Sequence, residues 1–118
     1  MIFAFTEDGV LEILESAAQA CTRYEGVDVD AGAVQFYDAD GRPLVARFSA
    51  PNRSGRLLGL LPWVESGVYE LVEGAENSND AFALALYEAT ALTSNRWFDS
   101  VEHLKGALRT RGVAVDFE

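Results

Sequence analysis

The chain has 118 residues, 49% of them apolar, and a formal net charge of −10. That length fits one domain, residues 1–118, able to bury a core without metal or disulfide, and the apolar fraction excludes general disorder. The charge argues against unassisted binding to nucleic acid or to an anionic membrane, since both depend on neutralising phosphate with Lys and Arg.

Met1 to Phe5 is a short apolar run and reads as a first strand. A helix is expected next, from Gly9 to Tyr24, with Thr6 or Asp8 as N-cap. Val10, Ile13, Leu14, Ala17, Cys21 and Tyr24 then share one stripe, and Glu12, Glu15, Gln19 and Arg23 lie opposite. Ala33 to Tyr37 and Leu44 to Phe48 read as two strands joined by Asp38-Ala39-Asp40-Gly41, whose glycine supplies a positive φ. Ser49 to Gly55 reads as an exposed loop. Arg56 to Ser66 is too apolar to be solvated, yet Gly59 and Pro62 forbid a long helix, so a buried crossover or short strand is expected.

Gly67 to Glu73 reads as a strand and Gly74 to Asp80 as a polar loop. Phe82 to Ala89 alternates large and small residues, which suits a strand, with a helix as the alternative. Asp99 or Ser100 caps a second helix whose stripe is Val101, Leu104, Ala107 and Leu108. Gly112 ends it, and Val113, Val115 and Phe117 alternate as a closing strand. The order predicts an α+β fold, a two-layer sandwich of a mainly antiparallel sheet with two helices packed on one face.

Charge is unevenly spread. Residues 41–64 carry four arginines, Arg42, Arg47, Arg53 and Arg56, and no acid. Removing these four leaves five basic residues against nineteen acids, a balance of −14. A guanidinium presents a planar fork to carboxylate or phosphate, so Arg47, Arg53 and Arg56, with Asn52 and Trp63 nearby, form the candidate partner- or anion-binding set.

No catalytic motif is present. Cys21, the one cysteine, permits no intrachain disulfide and falls on a helix stripe, which predicts a buried, inert thiol. His103, the one histidine, falls on the flank of its helix and is expected exposed. The acids at 28–30 and 38–40 lack the bidentate acid of a calcium loop, so they read as turn residues; neither metal nor cofactor is expected. There is no phosphate-cradling glycine motif. Glu70 and Glu88 would approach each other as an acid/base pair if their segments formed a hairpin. The start MIFAFTEDG lacks the basic region of a signal peptide, and no apolar run nears the ~20 residues of a membrane span.

These features predict a cytoplasmic, bacterial-type protein, an origin suggested by eight Arg against one Lys and by seventeen Ala. They favour a non-enzymatic interaction module that binds another protein or itself, a homodimer included. The alternative is a small anion-ligand binder or enzyme using the Arg-rich loop with Glu70 or Glu88. In size, charge and class alone the chain is similar in type to small acidic bacterial binding proteins such as immunity or antitoxin proteins. That likeness carries no residue across.

Overall fold

The computed structural model describes residues 1–74 and 79–116. Strands β1 (Ile2–Thr6) and β2 (Val10–Leu14) form a hairpin, followed by helices α1 (Ala17–Arg23) and α2 (Gly26–Asp30). Strands β3 (Val34–Tyr37), β4 (Pro43–Ala50), β5 (Arg53–Leu57), β6 (Leu61–Glu65) and β7 (Val68–Glu73) come next. Helix α3 (Asn79–Glu88), strand β8 (Ala91–Leu92) and helix α4 (Val101–Thr110) complete the order.

Six strands form one sheet in the order β7-β4-β3-β1-β2-β8, and β5-β6 form a separate ribbon. Only the short β2–β8 pairing is parallel; the other neighbours are antiparallel. The class is therefore α+β with a mainly antiparallel sheet. Alternation along β1 sends Phe3 and Phe5 to one face and Ile2 and Ala4 to the other. Helices α3 and α4 pack on the first face through Phe82, Leu86, Leu104 and Leu108. Two helices do share one face of the sheet, but one of them, α3, stands where a strand is the first expectation, and α1, the remainder of the first expected helix, lies on the other face. The opposite face carries the shorter α1 and α2, through Ala20, Tyr24 and Val29. Among the described residues no helix is long and apolar enough to cross a membrane.

Several elements differ from expectation. The helix predicted over Gly9 to Tyr24 is a strand followed by a short helix. Central strand β2 is covered on both faces, Leu11 and Ile13 on one and Leu14 on the other, so its apolar run mimics a helical stripe. The true start of α1 is Ser16, whose hydroxyl accepts from Gln19 N at 3.1 Å. Phe82 to Ala89 is helical through Glu88, not a strand. Phe82 and Leu86, one turn apart, are the buried pair, and the alanines between them favour helix.

The stretch expected as an exposed loop, Ser49 to Gly55, instead ends β4 and begins β5. Residues 113–116 pair with no strand, although Val115 is buried in the core; Phe117 and residues 75–78 of the predicted loop lie outside the described residues. Ser100 caps α4, accepting from His103 N at 3.0 Å, and Gly41 takes φ +80° in the β3–β4 turn. There Asp38 Oδ1 accepts from the backbone N–H groups of Asp40 and Arg42, a turn role for these acids.

Helix α1 is tied to the sheet by Tyr69, whose hydroxyl donates to the carbonyls of Tyr24 (2.7 Å) and Ala20 (3.4 Å) at the helix end. Burial pushes the Tyr69 hydroxyl up to about 12, from an ordinary 10.0. Burial also raises Tyr24, Tyr37 and the half-buried Cys21 thiol, which makes Cys21 a poor nucleophile at neutral pH. All four are favoured in their neutral forms by folding. Their contribution is complete below the unfolded values, 9.0 for Cys21 and 10.0 for the tyrosines, and is lost as pH rises through the folded ones. The urea midpoint is therefore expected to fall as pH passes 10 toward 12, and Tyr69→Phe to fall less steeply. Equal slopes in the two proteins would refute this assignment.

Candidate functional site

Strands β5 and β6 are the distal part of one long hairpin that begins with β4 and ends with β7. Ala50 pairs with Val68 in the sheet, and Arg53 pairs with Glu65 in the ribbon. Between them lies a root where the chain changes direction. Asn52 holds it, donating from Nδ2 to Gly26 O at 3.0 Å and accepting at Oδ1 from Gly67 N at 2.7 Å. Gly67 is bare because backbones nearly touch there, a Cβ standing 2.0 Å from the Ala50 carbonyl oxygen, and Gly26 because a Cβ would meet the Asn52 amide oxygen at 2.7 Å and the Phe48 ring at 3.0 Å. Asn52 is thus a structural clamp at the base of the ribbon.

Beyond the root the ribbon is an arm. Each strand has five residues, a reach of ~17 Å at ~3.3 Å per residue. The molecule measures 57 × 28 × 26 Å, with a radius of gyration of 15.8 Å against ~13.5 Å for a compact chain of this length. Trp63 lies across the bare backbone of Gly55 on the neighbouring strand, and this contact replaces the missing side chain. Even so Trp63 stays 40% exposed.

Apolar exposure concentrates here. Leu57, Leu58, Leu60, Leu61, Trp63 and Val64 are all exposed, Leu58 to 89% and Leu60 to 78%. The expectation that this stretch is buried is therefore corrected: a two-stranded ribbon has no third layer to cover it. The tip is also strained. Leu58 adopts φ 54°, next to Gly59 at 73°, and a left-handed leucine costs ~1–2 kcal/mol. A side chain that is both strained and solvated is a local misfit with no compensation inside the molecule.

The arginines do not form one patch. Arg53 and Arg56 sit at odd spacing on β5 and so project to opposite faces of the arm. Both are exposed, and neither makes an ion pair among the described residues. Arg47 lies on β4 and is paired with Glu70 directly across on β7. Glu88 ends α3, so the strand hairpin that would bring it to Glu70 is not formed.

Two of the clefts on the body gather several charged side chains. The larger, about 650 Å³, runs between β2, α1 and residues 94–97. Sequence reasoning placed Glu12 on a solvated helix face, yet it is half-buried on β2. Its carboxylate accepts from the Tyr24 hydroxyl at 2.8 Å and pairs with Arg23 at 3.1 Å. Glu15 pairs with Arg96, whose guanidinium stands 4.9 Å over the Trp97 ring. The charged groups of that cleft are therefore neutralised within the chain. The smaller cleft, about 410 Å³, has Phe5, Ala85 and Ala89 beneath a rim of Glu7, Asp8 and Glu88. These three acids are exposed and have no cationic partner among the described residues.

His103 is exposed as expected, with Nδ1 at 2.9 Å from Asp99 Oδ1 and its ring edge-on to Phe98. Among the described residues no three His, Cys, Asp or Glu side chains are placed to hold a metal ion. Comparison with family models, with curated proteins and with solved structures finds no match.

Proposed function

We propose that the protein is a non-enzymatic interaction module of the cytoplasm that presents the β5–β6 arm to a protein surface. One observation carries the reading: six large apolar side chains stand exposed on a ribbon that projects from the body. A concentration of exposed apolar side chains of that kind marks a docking site, and an aromatic residue such as Trp63, which shares its face of the ribbon with Leu57 and Leu61, is a usual anchor. Arg56, two residues before Leu58, supplies a polar neighbour beside the tip, and Arg53 stands at the root end of the same strand. The alternative, an anion site in the Arg-rich segment, is less well supported. Its arginines diverge, and Glu70 is held by Arg47.

The test separates binding from folding at the strained tip. Leu58→Gly relieves the left-handed backbone, so amide exchange in the Leu57–Leu61 turn is expected to slow, by ~1 kcal/mol of local stability. Leu58→Ser/Leu61→Ser is expected to leave the body's unfolding unchanged. Both variants should lose the partner that the wild-type protein retains in affinity capture. Retention of the same partner by Leu58→Ser/Leu61→Ser would end the arm reading.

A further inference from the structure

We infer that the arm docks into the acid-rimmed cleft of a second copy of this chain, so that two copies exchange arms about a two-fold axis. This rests on the reading of the arm as the binding element and names its occupant.

Charge complementarity is the first ground. Residues 51–66 contain Arg53, Arg56 and Glu65, a net +1. Taking that from the chain's −10 leaves −11 on the body. The arm is the one projecting element whose sign opposes the body that bears it. Among the described residues Arg56, beside the tip, makes no ion pair, and neither do Glu7, Asp8 and Glu88 on the cleft rim. An unpaired cation near an apolar tip matches unpaired acids around an apolar floor.

Position is the second ground. A two-fold interface needs the projecting element and its receptor on the same side of the molecule. Thr6 pairs with Val34, and β4 runs antiparallel to β3, so β4 leaves the sheet at the end where β1 turns into β2. The arm root is therefore at the end that holds Glu7, Asp8 and Gly9. Thr90 N donates to Gly9 O at 2.8 Å, which brings the end of α3 and Glu88 to that side as well. Two copies meeting at these ends can each reach the other's cleft.

Size is the third. The cleft's volume of about 410 Å³ lies within the ~300–1,000 Å³ of sites that take small ligands, enough for the Leu58 and Leu60 side chains. The floor offered by Phe5, Ala85 and Ala89 is apolar. Docking would cover the strained, solvated tip, and Arg56 would meet the rim.

Sedimentation velocity over a concentration series tests the proposal. The wild-type protein is expected to dimerise, and Leu58→Ser/Leu61→Ser to remain monomeric. The rim gives the sharper result. Glu7→Lys/Glu88→Lys lowers the net charge from −10 to −6, each exchange adding two charges, so general repulsion alone would strengthen the dimer. Docking predicts the reverse, a dimer weakened about tenfold or more, as it does for Arg56→Glu. Mixing Arg56→Glu into Glu7→Lys/Glu88→Lys on one chain should restore association. A wild-type protein that stays monomeric overturns self-docking, as does a dimer indifferent to Leu58 and Leu61 or strengthened by the rim exchange. A monomer that still captures another protein through Leu58 and Leu61 overturns self-docking alone and leaves the arm reading intact.

Discussion

Phe82→Ala is expected to cost about 3–5 kcal/mol, a large share of the ~5–15 kcal/mol that holds a domain together. Phe82 is 1% exposed, and its ring stands 5.5 Å from Phe3, 6.0 Å from Phe5 and 5.3 Å from Tyr37, centroid to centroid. It also closes over the β3–β4 turn, where a Cβ on Gly41 would come within 2.7 Å of the ring. Removing it opens a cavity between helix α3, strands β1 and β3 and the β3–β4 turn. The same helix supplies a comparison. If 82–88 were a strand, Leu84 and Leu86 would share Phe82's face and cost alike on truncation. In the helix Leu86 is buried and Leu84 half-buried. Leu86→Ala should therefore cost about 2–5 kcal/mol and Leu84→Ala distinctly less, as read from urea midpoints at unchanged m. Equal costs would contradict the helical packing.

That segment shows why periodicity alone misassigned two elements. Phe82, Leu84 and Leu86 satisfy a period of two, and Phe82 and Leu86 satisfy one turn of helix, so the apolar pattern decides nothing. The alanines decide it, because Ala favours helix by propensity and is depleted in strands. The N-terminal error runs the other way. Val10 to Leu14 is covered on both faces, and a doubly covered strand has no polar side to reveal its period. Ser16 with Gln19 was the available signal, since a capping hydroxyl three residues before a helix-favouring side chain marks a start. Elements with local chemistry were legible: the Asp38–Gly41 turn, the Ser100 cap and the short apolar run of β1.

The arm was half legible. Charge segregation singled out residues 41–64, and the arm lies within that span except for Glu65. Its exposure was not readable, because a run such as Leu57 to Val64 normally signals burial. Only the topology shows that β5 and β6 have no layer above them. Nor could the sequence separate the candidate side chains. Three belong to the arm (Arg53, Arg56 and Trp63), Asn52 clamps its root, and Arg47 is engaged with Glu70 on the sheet. Strand register distributes them, and register is set by long-range pairing.

Gly67→Ala is expected to be the second severe substitution, and it bears directly on function. The added Cβ would stand 2.0 Å from the Ala50 oxygen, 2.6 Å from the Pro51 carbonyl carbon and 2.8 Å from its oxygen. All three are backbone atoms, so no side chain can rotate away, and the root must open at a cost of about 3 kcal/mol. Opening also separates Gly67 from Asn52, which closes the root, and Ser66 from the Val27 N–H, which with the Asn52–Gly26 bond pins the arm to α2. Gly59→Ala at the tip is the contrast: nothing lies within 4 Å, so only its left-handed φ of 73° resists, at ~1 kcal/mol confined to the turn. The urea midpoint should therefore drop far more for Gly67→Ala. The consequence for docking follows from what the root fixes. If the arm works as a directed rod, Gly67→Ala loses partner capture although Leu58, Leu61 and Trp63 are untouched. If capture survives at full strength in a folded Gly67→Ala protein, the arm acts as a tethered apolar segment whose direction carries no information. Two-fold exchange needs a fixed direction, so that result would remove it as well.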